Sequence, residues 1–224
     1  MPITTIDEES PTKLKGLFEG TELQLLESGR LSDCQVSIGS RTWNLHKFII
    51  CDRSKYFDRA LCGNFVEAAN SKVAISEFHM NAKYFDSIIR WLYDGGYPIQ
   101  VGNVAGSLVE VVKFFVYADY LDIECLYKGL SDSVAKYATE LNAEPPTIKA
   151  HKDLPSDWVK AMCIFYKTFR GEEKHGLKSA LFDLGLQNRK LRKRVFELPK
   201  LEELILNVPG FCQDLMLETV RRKL

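Results

Sequence analysis

Cys34, Val36 and Ile38 alternate with Asp33, Gln35 and Ser37, a period of two that predicts a half-buried strand. Gly39-Ser40 offers a two-residue turn, and Trp43 and Leu45 then alternate with Thr42 and Asn44, so the pair reads as a hairpin. Ser54 can cap a short helix whose apolar side is Phe57, Ala60 and Leu61. Val73 and Ile75, separated by Ala74, suggest a third short strand. Asn81 can cap a helix carrying Phe85, Ile88, Ile89 and Leu92 at i, i+3, i+4 and i+7, closed by Gly95-Gly96. Over 107–118 apolar residues lie almost all round, with Glu110 and Lys113 on one stripe, which predicts a largely buried helix. A further helix is expected to bury Leu121, Cys125, Leu126, Leu130, Val134 and Tyr137. A small sheet with helices packed on it is an α+β domain.

The ends of the chain read differently. Residues 1–12 are polar and are expected to be a disordered tip. Leu14, Leu17, Phe18, Leu23, Leu25 and Leu26 then mark a short, partly helical apolar segment ending at Gly29, and the folded unit spans 13–141. Residues 142–156, with Pro145-Pro146 and Pro155, read as a linker, because consecutive prolines cannot continue a helix. An all-α region is expected over 157–224. Its first helix, capped by Ser156 or Asp157, presents Trp158, Met162, Phe165 and Phe169 and stops at Gly171. Two more helices are expected over 177–186 and 211–220. At about 70 residues this region needs the first unit to pack against.

Composition narrows the function. Thirty Lys+Arg balance thirty Asp+Glu, so the basic excess that accompanies phosphate-driven nucleic-acid binding is missing. The acidic start has no apolar core of a signal peptide, and no apolar stretch approaches ~18 residues. The six cysteines are scattered among apolar neighbours. These features lead us to expect an intracellular protein with reduced thiols, in the cytoplasm, the nucleus or both, and with no membrane span. Neither C-x-x-C nor H-E-x-x-H occurs, and His46, His79, His151 and His175 are dispersed, so no metal set is assigned. Nucleophile-elbow and phosphate-loop motifs are missing too. Cys34, His46 and Cys51 lie close in sequence, yet no catalytic or cofactor-binding residue is assigned, and no cofactor is expected.

Several blocks carry a resemblance when taken together. They are Leu31-Ser32-Asp33-Cys34-Gln35-Val36-Ser37-Ile38-Gly39 and Trp43-Asn44-Leu45-His46-Lys47, then Cys51-Asp52-Arg53-Ser54-Lys55-Tyr56-Phe57 and Phe65-Val66-Glu67-Ala68. Phe85 to Tyr97 and Val116-Tyr117-Ala118-Asp119-Tyr120-Leu121-Asp122-Ile123 follow in the same order and spacing. This half of the chain resembles a BTB/POZ domain, and with its helical tail it is most like the short fungal BTB proteins. The resemblance implies a small sheet capped by helical hairpins, assembly as a homodimer, and protein–protein interaction without catalysis. Many members link substrates to a cullin-3 ubiquitin ligase, and others act in transcriptional complexes.

The resemblance also assigns candidate residues. Phe65, Val66 and Glu67 match the hydrophobic-x-Glu motif that contacts the cullin; the alternative is that Phe65 packs locally and Glu67 is solvated. Asp33 and Lys47 match a charged pair in a corepressor groove, or else form a structural pair or a helix cap. Leu14, Leu17, Phe18, Leu23 and Leu26 would supply the dimer face, although Gly16 and Gly20 each cost about 1 kcal/mol within a helix. Arg189, Lys190, Arg192, Lys193 and Arg194 form one basic run, a nuclear localisation signal or a solvated helix end. Residues 157–224 show no kelch, MATH or zinc-finger pattern, so in an adaptor they would bind the substrate, a protein the sequence does not name. The alternative function is a nuclear transcription-regulatory scaffold that binds partners through the Asp33/Lys47 groove.

Overall fold

The computed structural model describes residues 21–96, 108–143 and 152–223. The predicted hairpin forms, with β1 (Cys34–Ile38) antiparallel to β2 (Arg41–Leu45) and Ile38 opposite Arg41 across the Gly39-Ser40 turn. Gly39 has φ +56°, a left-handed conformation that glycine reaches without a Cβ penalty. The third strand, β3 (Lys72–Ile75), pairs parallel with β1, giving the sheet order β2-β1-β3. Cys34, Val36 and Ile38 of the central strand are buried together with Val73 and Ile75.

Helix α1 (Thr21–Ser28) precedes the sheet, and α2 (Lys47–Arg53), α3 (Lys55–Cys62) and α4 (Val66–Asn70) link β2 to β3. Ser54 caps α3 as expected: its Oγ accepts from the Phe57 N–H at 3.2 Å. The same hydroxyl donates to the Leu121 carbonyl at 2.6 Å, which fixes α3 to a distant loop. Asn81 caps α5 (Ala82–Tyr93) through the Lys83 N–H. Both glycines after α5 take positive φ, as a chain reversal there requires.

Helices α6 (Leu108–Tyr120) and α7 (Glu124–Asn142) follow, and no residue from 108 to 119 is exposed. Cys125, expected in the core, is exposed, and Tyr127 is buried instead. The reason is a break in phase. Asp122 adopts φ +51° and α7 starts at Glu124, so Leu121 is not a helical neighbour four residues before Cys125.

The C-terminal region begins earlier than its predicted cap. Helix α8 (Leu154–Phe169) opens with Pro155 in its first turn, and Leu154 and Pro155 are buried. Proline lacks only an N–H that has no helical partner at that point, so here it starts a helix and does not mark a linker. Asn142 likewise belongs to α7, which moves both expected edges of the 142–156 linker inward. The tail continues as α9 (Leu177–Leu186), α10 (Arg189–Phe196), α11 (Pro199–Asn207) and α12 (Pro209–Arg221). Two of these helices, α10 and α11, were not anticipated.

The tail extends the core. Helix α8 lies against α6, and α9 lies against α7. Phe115 of α6 meets Phe169 of α8 edge-on at 5.8 Å, and Tyr127 stacks on His175 at 3.8 Å. Among the described residues no helix is long and apolar enough to cross a membrane. The expected tip over 1–12, and Leu14, Leu17 and Phe18, lie outside the described residues.

Candidate partner-binding surfaces

His46 joins β2 to α2 and is buried. Its backbone N–H donates to Tyr93 Oη at 2.8 Å, and its ring Nδ1 shares a hydrogen bond with the same hydroxyl at 2.9 Å. The opposite ring nitrogen, Nε2–H, donates to the Arg30 carbonyl at 2.7 Å. Burial raises the Tyr93 phenol well above its ordinary range. The ring therefore clamps residue 30, the start of α2 and the end of α5. Tyr93→Phe leaves Nδ1 and the His46 N–H unsatisfied, and we expect a loss of about 1–3 kcal/mol in urea unfolding.

Neither ring nitrogen reaches a thiol, and the nearby cysteines are not activated. Burial first, then Asp33, pushes the Cys34 thiol up to about 12. Burial and the Cys62 side chain push Cys51 up to about 12 as well. A thiolate nucleophile needs the opposite shift. Among the described residues no His, Cys, Asp or Glu group is arranged to hold a metal ion.

Asp33 and Lys47 do come together, but through the backbone. Asp33 Oδ1 accepts from the Lys47 N–H at 2.7 Å and so caps the first turn of α2, while Lys47 Nζ points to the Leu61 carbonyl at 3.5 Å. Of the alternatives, the geometry is that of a helix cap.

Phe65 and Val66 behave differently. They open α4, a five-residue helix with no buried residue, and they are 61% and 73% exposed. Phe65 is thus not buried in the core, and Glu67 is exposed as the alternative expects. Val66 and Glu67 line an open cavity of about 470 Å³ with Asn70, Lys72 and Ala74. A string of rings lies on α3, the end of α6 and the turn after β3. Tyr56 lies 5.4 Å from Tyr120, Tyr120 stacks with His79 at 5.9 Å, and His79 meets the exposed Phe78 at 5.3 Å. Burial first, then Tyr120, hold the Tyr56 phenol above its usual range. Sequence reasoning missed these rings because Phe78 and His79 sit in a turn with no periodicity to mark their exposure.

Leu23 and Leu26 of α1 pack against the protein's own core, so in this arrangement they are not a free dimer face. The basic run forms its own helix, α10, and is not a helix end: Leu191 and Val195 are buried, Arg192 is half-buried, and Arg189, Lys190, Lys193 and Arg194 are exposed.

A family model for the BTB/POZ domain matches residues 23–136, just over half of the 224 residues. The chain belongs to the BTB/POZ family. BTB/POZ domains mediate protein–protein interactions and are generally non-enzymatic. The match takes in the three-stranded sheet, helices α2 to α6 and most of α1 and α7, so the Phe65-Val66-Glu67 surface lies within the BTB/POZ domain and helices α8 to α12 lie beyond it. No curated protein matches the chain.

Proposed function

We propose that this BTB/POZ protein is a substrate adaptor of a cullin-3 ubiquitin ligase, with Phe65, Val66 and Glu67 as the cullin contact. The exposure of Phe65 and Val66 beside a carboxylate carries this reading. Large apolar side chains left in water by the fold gain most from burial against a partner, and a neighbouring charge fixes its orientation. In this reading the C-terminal helices recognise the substrate protein. The domain also self-associates, and Leu31 and Phe48, both exposed close to the His46 clamp, replace the packed α1 leucines as its apolar contacts. The scaffold alternative has less support, because Asp33 already serves as the α2 cap.

Light-scattering mass after size exclusion, with and without a cullin-3 amino-terminal domain, tests the proposal. We expect a mass near twice 25.6 kDa that rises with cullin. Phe65→Ala/Glu67→Ala should weaken the complex at least about 30-fold, since a central anchor is typically worth 2 kcal/mol or more. No complex at about 50 µM, or a complex that the double variant leaves unchanged, overturns the assignment.

A further inference from the structure

Helix α10 holds five cations and no acid in eight residues. The fold uses two of them. Arg192 Nη1 donates to the Leu186 carbonyl at 3.1 Å, at the end of α9, and Arg194 donates to the Lys152 carbonyl. Arg189 and Lys190 stand in the first turn, the positive end of the helix dipole, where a cation is unfavourable. Neither forms an ion pair with a described residue. Lys193 reaches Glu197 only at 3.9 Å, and both side chains are exposed, so this contact contributes little.

These charges face a cleft. Arg189, Lys190, Arg192 and Lys193 line an open cavity of about 690 Å³ together with Phe196 and Thr219, and none of the lining residues is acidic. Phe196 on the same helix is exposed in this cavity, and on α12 the exposed Met216 and Val220, 66% and 76% in water, lie one turn apart on either side of Thr219 in sequence. Cations beside an exposed ring, with two more exposed apolar side chains on the neighbouring helix, complement a segment that carries carboxylates on one side and apolar side chains on the next.

We propose that the α10–α12 cleft binds an acidic, amphipathic segment of a partner protein. Its carboxylates meet Arg189, Lys190 and Lys193, and its apolar side chains cover Phe196, Met216 and Val220. A nucleic acid fits less well. The cations occupy a helix about 12 Å long, the chain turns acidic after it at Glu197, Glu202 and Glu203, and a phosphate backbone offers nothing to Phe196 or to the exposed Met216 and Val220. The inference rests on reading the C-terminal helices as the partner-recognising part. Its test contains no cullin, so failure of the cullin complex and failure of the cleft are separate results.

The experiment is fluorescence anisotropy of the full chain. The probe is a labelled helical peptide of about 16 residues with glutamates along one face and leucines along the adjoining one. We expect a Kd on the order of 10 µM, weakened at least about tenfold by Lys190→Glu/Lys193→Glu and similarly by Met216→Ser/Val220→Ser. All four side chains are exposed, and unchanged thermal midpoints will show that the variants fold. The same peptide with its leucines replaced by serine should bind far more weakly, as should a single-stranded oligonucleotide of equal charge. Equal binding of either control shows a plain polyanion site and overturns the proposal. So does the absence of peptide binding, or binding that both double variants leave intact.

Discussion

Replacing Arg53 with alanine should lower the unfolding free energy by about 3–5 kcal/mol, a large part of the stability of a typical domain. Arg53 ends α2, and Glu22 stands in the first turn of α1; their side chains are only 8% and 6% exposed. Arg53 Nη1 donates to Glu22 Oε2 at 2.9 Å and also to the Leu92 carbonyl in α5, while Nη2 donates to Glu22 Oε1 at 3.4 Å. One guanidinium thus joins three helices. Its removal leaves a carboxylate buried without a partner and a carbonyl without a donor, and both penalties fall on the folded state. The exposed Arg90–Glu27 contact across the same two helices, α1 and α5, cannot compensate, because both side chains are more than half in water. The control is Glu22→Leu/Arg53→Met. Replacing a whole buried pair with apolar groups is often neutral or stabilising, so this variant should recover most of the loss in urea unfolding, short of wild type only by the cost of the Leu92 carbonyl. A loss below about 1 kcal/mol for Arg53→Ala alone would show that water reaches the pair and that α1 is only loosely held.

What the sequence revealed and what it hid divide by the range of the interaction. The hairpin, the Ser54 and Asn81 caps and the apolar face of α5 are set by residues within four positions of one another, and spacing alone finds them. The Glu22–Arg53 pair and the His46–Tyr93 clamp join residues more than thirty positions apart, and nothing in the spacing of either partner announces the other. Pro155 reads as part of a linker because proline breaks helices, yet it sits in the first turn of α8, where its missing N–H does no harm, and Pro199 and Pro209 open α11 and α12 in the same way. Helix α10 escaped because Leu191 and Val195 are its only buried positions, too few to make a period stand out against five charges. The Phe65-Val66-Glu67 motif was legible, but its exposure was not, because a five-residue helix gives no periodicity from which to infer a face.

Gly185→Ala should destabilise the C-terminal region by about 3 kcal/mol, against the sign that helix propensity gives. In a helix interior alanine is favoured over glycine by up to about 1 kcal/mol. At this position, however, an added Cβ would lie 2.3 Å from Trp158 Cε2 and 2.4 Å from its Nε1. The indole has no free space into which to retreat. It is fully buried, it meets Phe182 and Phe211 edge-on, and its N–H donates to the Leu181 carbonyl at 2.6 Å. Overpacking typically costs 1–3 kcal/mol, and displacing the ring breaks a buried hydrogen bond as well. Trp158→Phe alone leaves a gap and loses the indole bond to the Leu181 carbonyl, so it too should be destabilising. In the double variant the smaller ring makes room for the new methyl, and the two losses should fall short of their sum by at least about 1 kcal/mol. Thermal unfolding of the four proteins completes the cycle. A Gly185→Ala variant more stable than wild type would mean that Trp158 does not lie on α9, and the packing that joins the tail to the BTB/POZ domain would have to be redrawn. Helix α9 is the element packed on α7, so a displaced indole should loosen that junction as well as the tail itself.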